Sequence, residues 1–529
     1  MRKNLLIFPI LIISLILNLY GIKWGLPDKE HPHPSFHPDE TESVKSSLAI
    51  LDPNRLLYPS PTALGNGSMQ FYLVAIIYKL GSIFGFLTST PTTYFELRDF
   101  YLAGRLLTVI MSAIMIYLVF QISKIIFGTP TALLAALFLT SAPGLVVSSH
   151  YFRSEVPAAF WIVLAFFFAV KIVQTKKTKY YFLCALAIGF ATSTKYNSIF
   201  SILFLLAAHI MALKKKKVSV KTYIFNKKLI ISLMIIVGTF FIGSIGSLIY
   251  FTEFKQRLIK QLEYQKGVFE PAAGLGPSWF GYFLYVLPYS MSLPLLLLSV
   301  FSFLFAWIKR LRWDILFIVW IIAYYILMSS STWWVVRYTI PLLPPLAILS
   351  ARLISNFSKR QSLRYLFLII GLLIAMTSLS YSLILDSIMA AKDPRIAAYD
   401  WIDENIVAGS RIGIDLNPAA FYIPADEKKY NVTIMNIAEN KLREIDYYIA
   451  NDQFYQQYLR APNLFPVENR YFNRILFSQE FKKVAKFENA IQLFGIKLPK
   501  ACRGYTPADY FYFLPTITIL KRVEVDSLR

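Results

Sequence analysis

Long apolar runs separated by short polar breaks fill the first 390 or so residues of the chain, and the pattern changes beyond them. A helix that crosses a bilayer needs ~20 mostly apolar residues. Runs of that kind fall at about 4–22, 100–124, 129–148, 157–174, 180–194, 197–213, 229–250, 280–307, 313–330, 338–354 and 365–386, which predicts eleven spans. A further run, 69–87, is long enough to be a twelfth. From Asp393-Pro394-Arg395 onward the chain is more polar, with a helix-like stretch at 395–406 and strand-like runs at 411–415, 430–435, 446–450 and 516–521. Strands mixed with helical segments predict a small α/β domain over 390–529, following a membrane module over 1–389. There is no internal repeat, no Gly-rich phosphate loop and no low-complexity tract.

Composition agrees with the pattern. Of 529 residues, 56% are hydrophobic and 16% charged, and the mean hydropathy is +0.50. This is a polytopic α-helical membrane protein. The net charge of +23 invites a nucleic-acid partner. The basic residues argue against one, because they cluster in short breaks between apolar runs, as the positive-inside rule produces.

The same clusters decide the status of 69–87. With Arg2 and Lys3 inside and 69–87 lying in the outer interface, the inner loops hold Lys124, Lys176, Lys177 and Lys179. They also hold Lys214 to Lys217 with Lys221, Lys227 and Lys228, then Lys309, Arg310 and Arg312, and Lys359, Arg360 and Arg364. Every cluster then falls on one side. The expectation is eleven spans, N-terminus inside, a long outer loop over 23–99 and the C-terminal domain outside. Trp24, Trp279, Trp333 and Trp334 fall at outer boundaries, Trp307 and Trp313 at inner ones. The first run has no small-residue cleavage site after it and is read as an uncleaved span. Cys184 and Cys502 make neither a disulfide framework nor a metal-ligand spacing.

That topology gathers ionisable residues on the outer side. His37-Pro38-Asp39-Glu40 follows the first span. His150-Tyr151-Phe152-Arg153-Ser154-Glu155 joins the third and fourth, and Thr194-Lys195-Tyr196-Asn197 joins the fifth and sixth. Arg105 lies near the outer end of the second span, and Arg337-Tyr338 opens the tenth. Ionisable groups at membrane depth are expensive and mark functional sites. This set suits transfer of a sugar from a polyprenyl phosphate. A carboxylate removes the proton of an attacking hydroxyl, best when a partly dry site raises its pKa. Lys and Arg stabilise the departing phosphate.

At Phe36-His37-Pro38-Asp39-Glu40, Arg105-Leu106-Leu107, Ser149 to Pro157, Thr194 to Asn197 and Arg337-Tyr338-Thr339-Ile340-Pro341, the sequence resembles the GT-C fold glycosyltransferases. The groups in view are glycosyltransferase family 39, the protein O-mannosyltransferases and the lipid A aminoarabinose transferases. The resemblance covers roughly residues 1–390. It implies an inverting transferase that uses a polyprenyl- or dolichyl-phosphate sugar, with Asp39 as base and Glu155 at the second acidic position; Glu40 is a further candidate acid, or the group that orients Asp39. Arg105, Arg153, Lys195, Arg337, Tyr196, Tyr338 and His37 are the candidates to surround the donor's phosphate and sugar. The second acidic position of the family is often Asp, and here it is Glu155. The expected partners are the lipid-linked donor, a glycan, lipid or protein acceptor, and membrane lipid. The expected location is a bacterial inner or archaeal cell membrane.

Plainer roles exist for each residue. Asp39 and Glu155 sit where helix N-terminal carboxylates occur. Arg105 and Arg153 can pair with headgroups, and Tyr196 and Tyr338 fit an interfacial aromatic belt. A divalent metal at His31, His33 and His37 is not favoured, because alternating prolines give poor ligand geometry, and no cofactor is required. A flippase of lipid-linked sugars is the alternative activity. It would place charges at mid-membrane depth and often shows repeats.

Overall fold

Proline and glycine punctuation divides the apolar runs into helices at every one of the eleven expected positions. The structure is a computed structural model that describes residues 5–31, 33–87, 91, 93–213, 225–267, 270–415, 425–437, 441–493, 496–497 and 505–523. Among them, five helices are alone long and apolar enough to cross a membrane: Arg98–Phe127, Glu155–Thr175, Tyr196–Leu213, Val336–Phe357 and Gln361–Asn405. Two bent pairs raise the number to seven. Thr129–Thr140 and Pro143–Ser149 meet at 59°, and Ser278–Met291 and Leu293–Lys309 at 117°. The bends have local causes. Pro143 begins a new helix after extended Ala142, and Ser292 takes a positive φ of 64° ahead of Pro294. Phe8–Leu19, Met69–Ile83 and Asp314–Ser329 are shorter apolar helices. The count of eleven full spans is therefore coarser in the structure than in the sequence pattern.

The basic ends of the helices meet one another. Lys228 donates to the Lys176 carbonyl at 3.2 Å, and Arg312 to the Met211 carbonyl at 3.4 Å. Arg352 pairs with buried Asp314 and lies over Phe127 and Phe305. Lys214 to Lys217, Lys221, Arg2, Lys3 and Cys502 lie outside the described residues. Arg105 and Lys124 stand on one helix, Arg98–Phe127, roughly 28 Å apart along its axis. The direction of that helix puts Arg105 at the end opposite the basic one.

The polar segment after the first span folds over this opposite end as helices Pro38–Ala49, Pro61–Asn66 and Met69–Ile83. The last presents Ile76, Leu80, Ile83 and Phe84 outward and turns Gln70 and Phe71 inward. Helix Phe251–Tyr264 buries no residue of its own and packs beside Pro61–Asn66.

The C-terminal part contains β1 (Arg411–Asp415), β2 (Asn431–Met435), β3 (Tyr447–Asn451), β4 (Phe481–Glu488), β5 (Gln492–Leu493), β6 (Ile496–Lys497) and β7 (Thr516–Arg522). Five form a mixed sheet in the order β2-β1-β3-β7-β4, and β5 and β6 form a separate hairpin. Strand β1 is parallel to β2 and β3, whereas β7 is antiparallel to β3 and β4. Helix Pro394–Asn405 covers one face through Ala398 and Ile402. Helices Asp452–Arg460 and Pro466–Phe477 cover the other through Tyr458, Phe472 and Ile475. Before β7 the chain returns to the helical bundle: Tyr505, Tyr510, Phe513 and Leu514 belong to the same buried cluster as the membrane helices.

Candidate active site

Helix Pro38–Ala49 starts at Pro38, whose fixed φ suits the first helical position, so Asp39 and Glu40 both lie in its first turn. Consecutive helix positions face different ways, and the two carboxylates have different surroundings. Glu40 is fully buried. Its Oε1 accepts from Arg105 Nε at 2.7 Å and its Oε2 from Arg105 Nη2 at 2.6 Å. Ser35 Oγ and the Phe152 backbone N–H complete its shell at 2.6 and 2.9 Å. Arg105 Nη1 donates to the carbonyls of Ile22 and Trp24. This pair binds the segment after the first apolar helix to helix Arg98–Phe127 and to the 150–155 turn. Neither Glu40 nor Arg105 lines the cavity beside Asp39.

That cavity has a volume of about 500 Å³. One wall holds Asp39, Arg153, Glu155, Lys195, Arg337 and Tyr338. The lining also includes Thr62, Asn66 and Gly67 with Arg257, Lys260, Gln261 and Tyr264 of the exposed helix Phe251–Tyr264. Glu42, Gln70, Phe71 and Trp333 line it as well.

Asp39 Oδ2 lies 3.2 Å from Nη2 of Arg153 and 3.2 Å from Nη2 of Arg337. Burial pushes the Asp39 carboxyl up, but these two guanidiniums outweigh it and hold it below the usual carboxylate range. This corrects the expectation that a dry site raises it. Glu40 is likewise raised by burial and brought below its usual value by Arg105.

Glu155 begins helix Glu155–Thr175 and is buried. Lys195, at the break between two helices, donates to its Oε1 at 2.9 Å. Arg337 Nε and Arg153 Nε approach at 3.5 and 3.7 Å. Glu155 is thus both a helix N-terminal carboxylate and the anchor of a cation cluster. Buried Oε2 of Glu155, Nε of Arg153 and Nε of Arg337 have no hydrogen-bond partner among the described residues, which leaves polar capacity for an occupant. Lys195 Nζ lies 4.3 Å from the Tyr338 ring centroid.

Tyr196 is turned away from the cavity. Its hydroxyl donates to the Leu64 carbonyl at 2.7 Å and holds the short helix Pro61–Asn66. His37 is fully buried between the rings of Tyr151 and Tyr512, at 4.4 and 4.6 Å. Burial lowers its pKa to about 4, so it is neutral near pH 7. His31 bonds Asp28 and Asp400, and His33 stacks on Phe36 at 4.2 Å. The three histidines therefore diverge. Among the described residues no group of three or more His, Cys, Asp or Glu is placed to hold a metal ion.

Sequence reasoning missed Asp509. It enters from the C-terminal part on helix Ala508–Phe511. Its Oδ2 accepts from the Arg337 backbone N–H at 3.0 Å, and its Oδ1 pairs with Arg337 Nη1. The signal is one acid within the aromatic run Tyr505 to Phe513. The lining residues of helix Phe251–Tyr264 carry no motif at all.

A family model described as "Dolichyl-phosphate-mannose-protein mannosyltransferase" matches residues 95–241. That span includes Arg105, Arg153, Glu155 and Lys195. No curated protein matches the chain. Among solved structures, ArnT from Cupriavidus metallidurans in the apo state is similar with a TM-score of 0.51 and 13% identity, over 97% of this chain and 97% of that one. The oligosaccharyltransferase AglB from Archaeoglobus fulgidus, in complex with an inhibitory peptide and a dolichol-phosphate, is similar with a TM-score of 0.50 and 11% identity. That likeness covers 89% of this chain and 72% of AglB. The chain thus shares its fold with these two structures, and over residues 95–241 its sequence resembles the mannosyltransferase family of that model.

Proposed function

We propose that the chain is an inverting glycosyltransferase that moves a sugar from a polyprenyl- or dolichyl-phosphate donor to an acceptor hydroxyl on the outer face of a membrane. The observation that carries this reading is one carboxylate, Asp39, on the wall of a cavity and shared by Arg153 and Arg337 at 3.2 Å each. Beside it stand Lys195 and Glu155.

In the proposed reaction Asp39 accepts the proton of the acceptor hydroxyl as that oxygen attacks the anomeric carbon. The bond from the anomeric carbon to the phosphate oxygen breaks, and its electron pair leaves with the phosphate. Arg153, Arg337 and Lys195 stabilise the charge on the departing group, and no step is routed through a metal. Before the donor enters, both guanidiniums are engaged with Asp39. A bound phosphate shares them, which weakens their hold and makes Asp39 a stronger base where it is needed. Glu155 keeps the cations gathered while the cavity is vacant. Glu40 and Arg105 act through the backbone, by fixing the turn that presents Asp39.

The finer topology belongs to the same proposal: eleven crossings, N-terminus inside, 69–87 in the interface, and the α/β part outside. The meeting of the basic helix ends away from the cavity supports it.

The test is reconstitution of the purified chain in liposomes with a radiolabelled polyprenyl-phosphate sugar and acceptor lipids. The expected result is label leaving the polyprenyl fraction for the acceptor. Label that stays on the polyprenyl lipid while the lipid redistributes between leaflets would favour the flippase alternative.

A further inference from the structure

Arg337, on the cavity wall, is held from behind by a carboxylate that no sequence motif announces. Asp509 is 2% exposed and binds Arg337 twice, at the backbone N–H and at Nη1. Arg337 keeps Nη2 for Asp39 at 3.2 Å and turns Nε toward Glu155. One guanidinium is thereby held on three sides by carboxylates from three distant parts of the chain. The charges around it come to three acids (Asp39, Glu155, Asp509) and three cations (Arg153, Lys195, Arg337).

Asp509 is itself anchored. Tyr510 donates to the Tyr289 carbonyl at 2.7 Å, and Tyr505 donates to the Trp334 carbonyl. Arg395 donates to the Tyr512 carbonyl at 2.6 Å. Tyr512 packs on His37, two residues from Asp39. The 505–513 segment is therefore fixed to the bundle at several points around the site.

We propose that Asp509 is a positioning residue of the transfer reaction, holding Arg337 by Nη1 so that its opposite edge, Nε and Nη2, meets the departing phosphate. This inference rests on the transfer reading above. Its physical basis is that a guanidinium fixed on one edge presents its other edge with little loss of rotamer freedom. It also gives the C-terminal part a share in catalysis rather than a covering role alone. Misplacement of a charge-stabilising group by about 1 Å costs on the order of a hundredfold in rate.

The experiment compares kcat and donor KM for wild type, Asp509→Asn, Asp509→Glu and Tyr510→Phe, each normalised to folded protein by detergent-solubilised yield and melting temperature. Asp509→Asn keeps the shape but loses the charge. The expected result is a kcat lowered by roughly a hundredfold with little change in donor KM, since Arg153 and Lys195 still face the donor. Asp509→Glu restores the charge with a longer arm and should fall between Asn and wild type. Tyr510→Phe removes an anchor in the same segment and should lower the melting temperature more than kcat. An Asn variant with wild-type kcat overturns the inference, as does a loss fully matched by loss of folded protein. If the Asn chain does not fold, a Glu variant with wild-type kcat overturns it. A wild type that transfers from no lipid-phosphate donor would instead sink the transfer reading itself.

Discussion

Asp39 and Glu40 are sequence neighbours with separate surroundings, and single substitutions should separate them. Glu40 spends every acceptor site on Arg105, Ser35 and Phe152. Glu40→Gln leaves the buried Arg105 guanidinium uncompensated, which should cost about 3–5 kcal/mol of stability. A thermal melt of purified protein measures this, and an unchanged melt would contradict the structural assignment. The sign of the pH effect follows from the lowered Glu40 carboxyl. Its stabilisation is present above the unfolded value of about 4.3 and is lost as pH falls through the lower folded value. Asp39 is also held low, so the acidic limb of kcat/KM should lie below about 4. The limb of kcat should lie higher, because bound phosphate draws Arg153 and Arg337 away from Asp39. A kcat limb at or below that of kcat/KM would contradict the shared-cation account. The types and rough location of these residues were legible in the sequence. Which acid faces the cavity was not, because that depends on where Arg105 and Phe152 arrive from distant segments.

At the scale of elements, the site depends on close backbone approach. Gly67 has a φ of 122°, and a Cβ there would meet the Thr194 carbonyl oxygen at 2.5 Å. The Ser68 N–H bonds the Ser193 carbonyl at 2.8 Å, so the loop before helix Met69–Ile83 is seated on the turn that carries Lys195. Gly67→Ala should cost about 1–3 kcal/mol and reduce transfer with it, measured by melting temperature and initial rate. A silent substitution would mean that the loop moves freely. Most elements were visible in the hydrophobic pattern, including β1, β2, β3 and β7. Strand β4 was not. Its three lysines and the register shift between Lys483 and Ala485 break the period-two alternation that marks a strand. The bent pairs were hidden as well, since an apolar run has the same composition whether straight or kinked at Ser292.

On the scale of the whole molecule, the proposed orientation rests on charge asymmetry. With Cys502 replaced by Ser, single cysteines at Asn54 and Tyr94 should react with a membrane-impermeant maleimide in intact cells. Cysteines at Lys177 and Lys359 should react only after permeabilisation. Asn54 and Tyr94 flank 69–87, so labelling of only one of them from outside would make that segment a true crossing. The helical module and the α/β part were separable by composition. The return of 505–513 into the bundle was not, because its aromatic residues read equally well as the core of either part.

The most direct measurement of the central claim is sugar transfer by membranes carrying wild type or Asp39→Asn, at matched expression and insertion. Asn keeps the shape of the side chain but cannot take a proton. The account predicts transfer lowered by roughly a hundredfold or more. Transfer at the wild-type rate in the Asn variant would contradict it, and would leave Glu42 and Glu155 as the other acids lining the cavity.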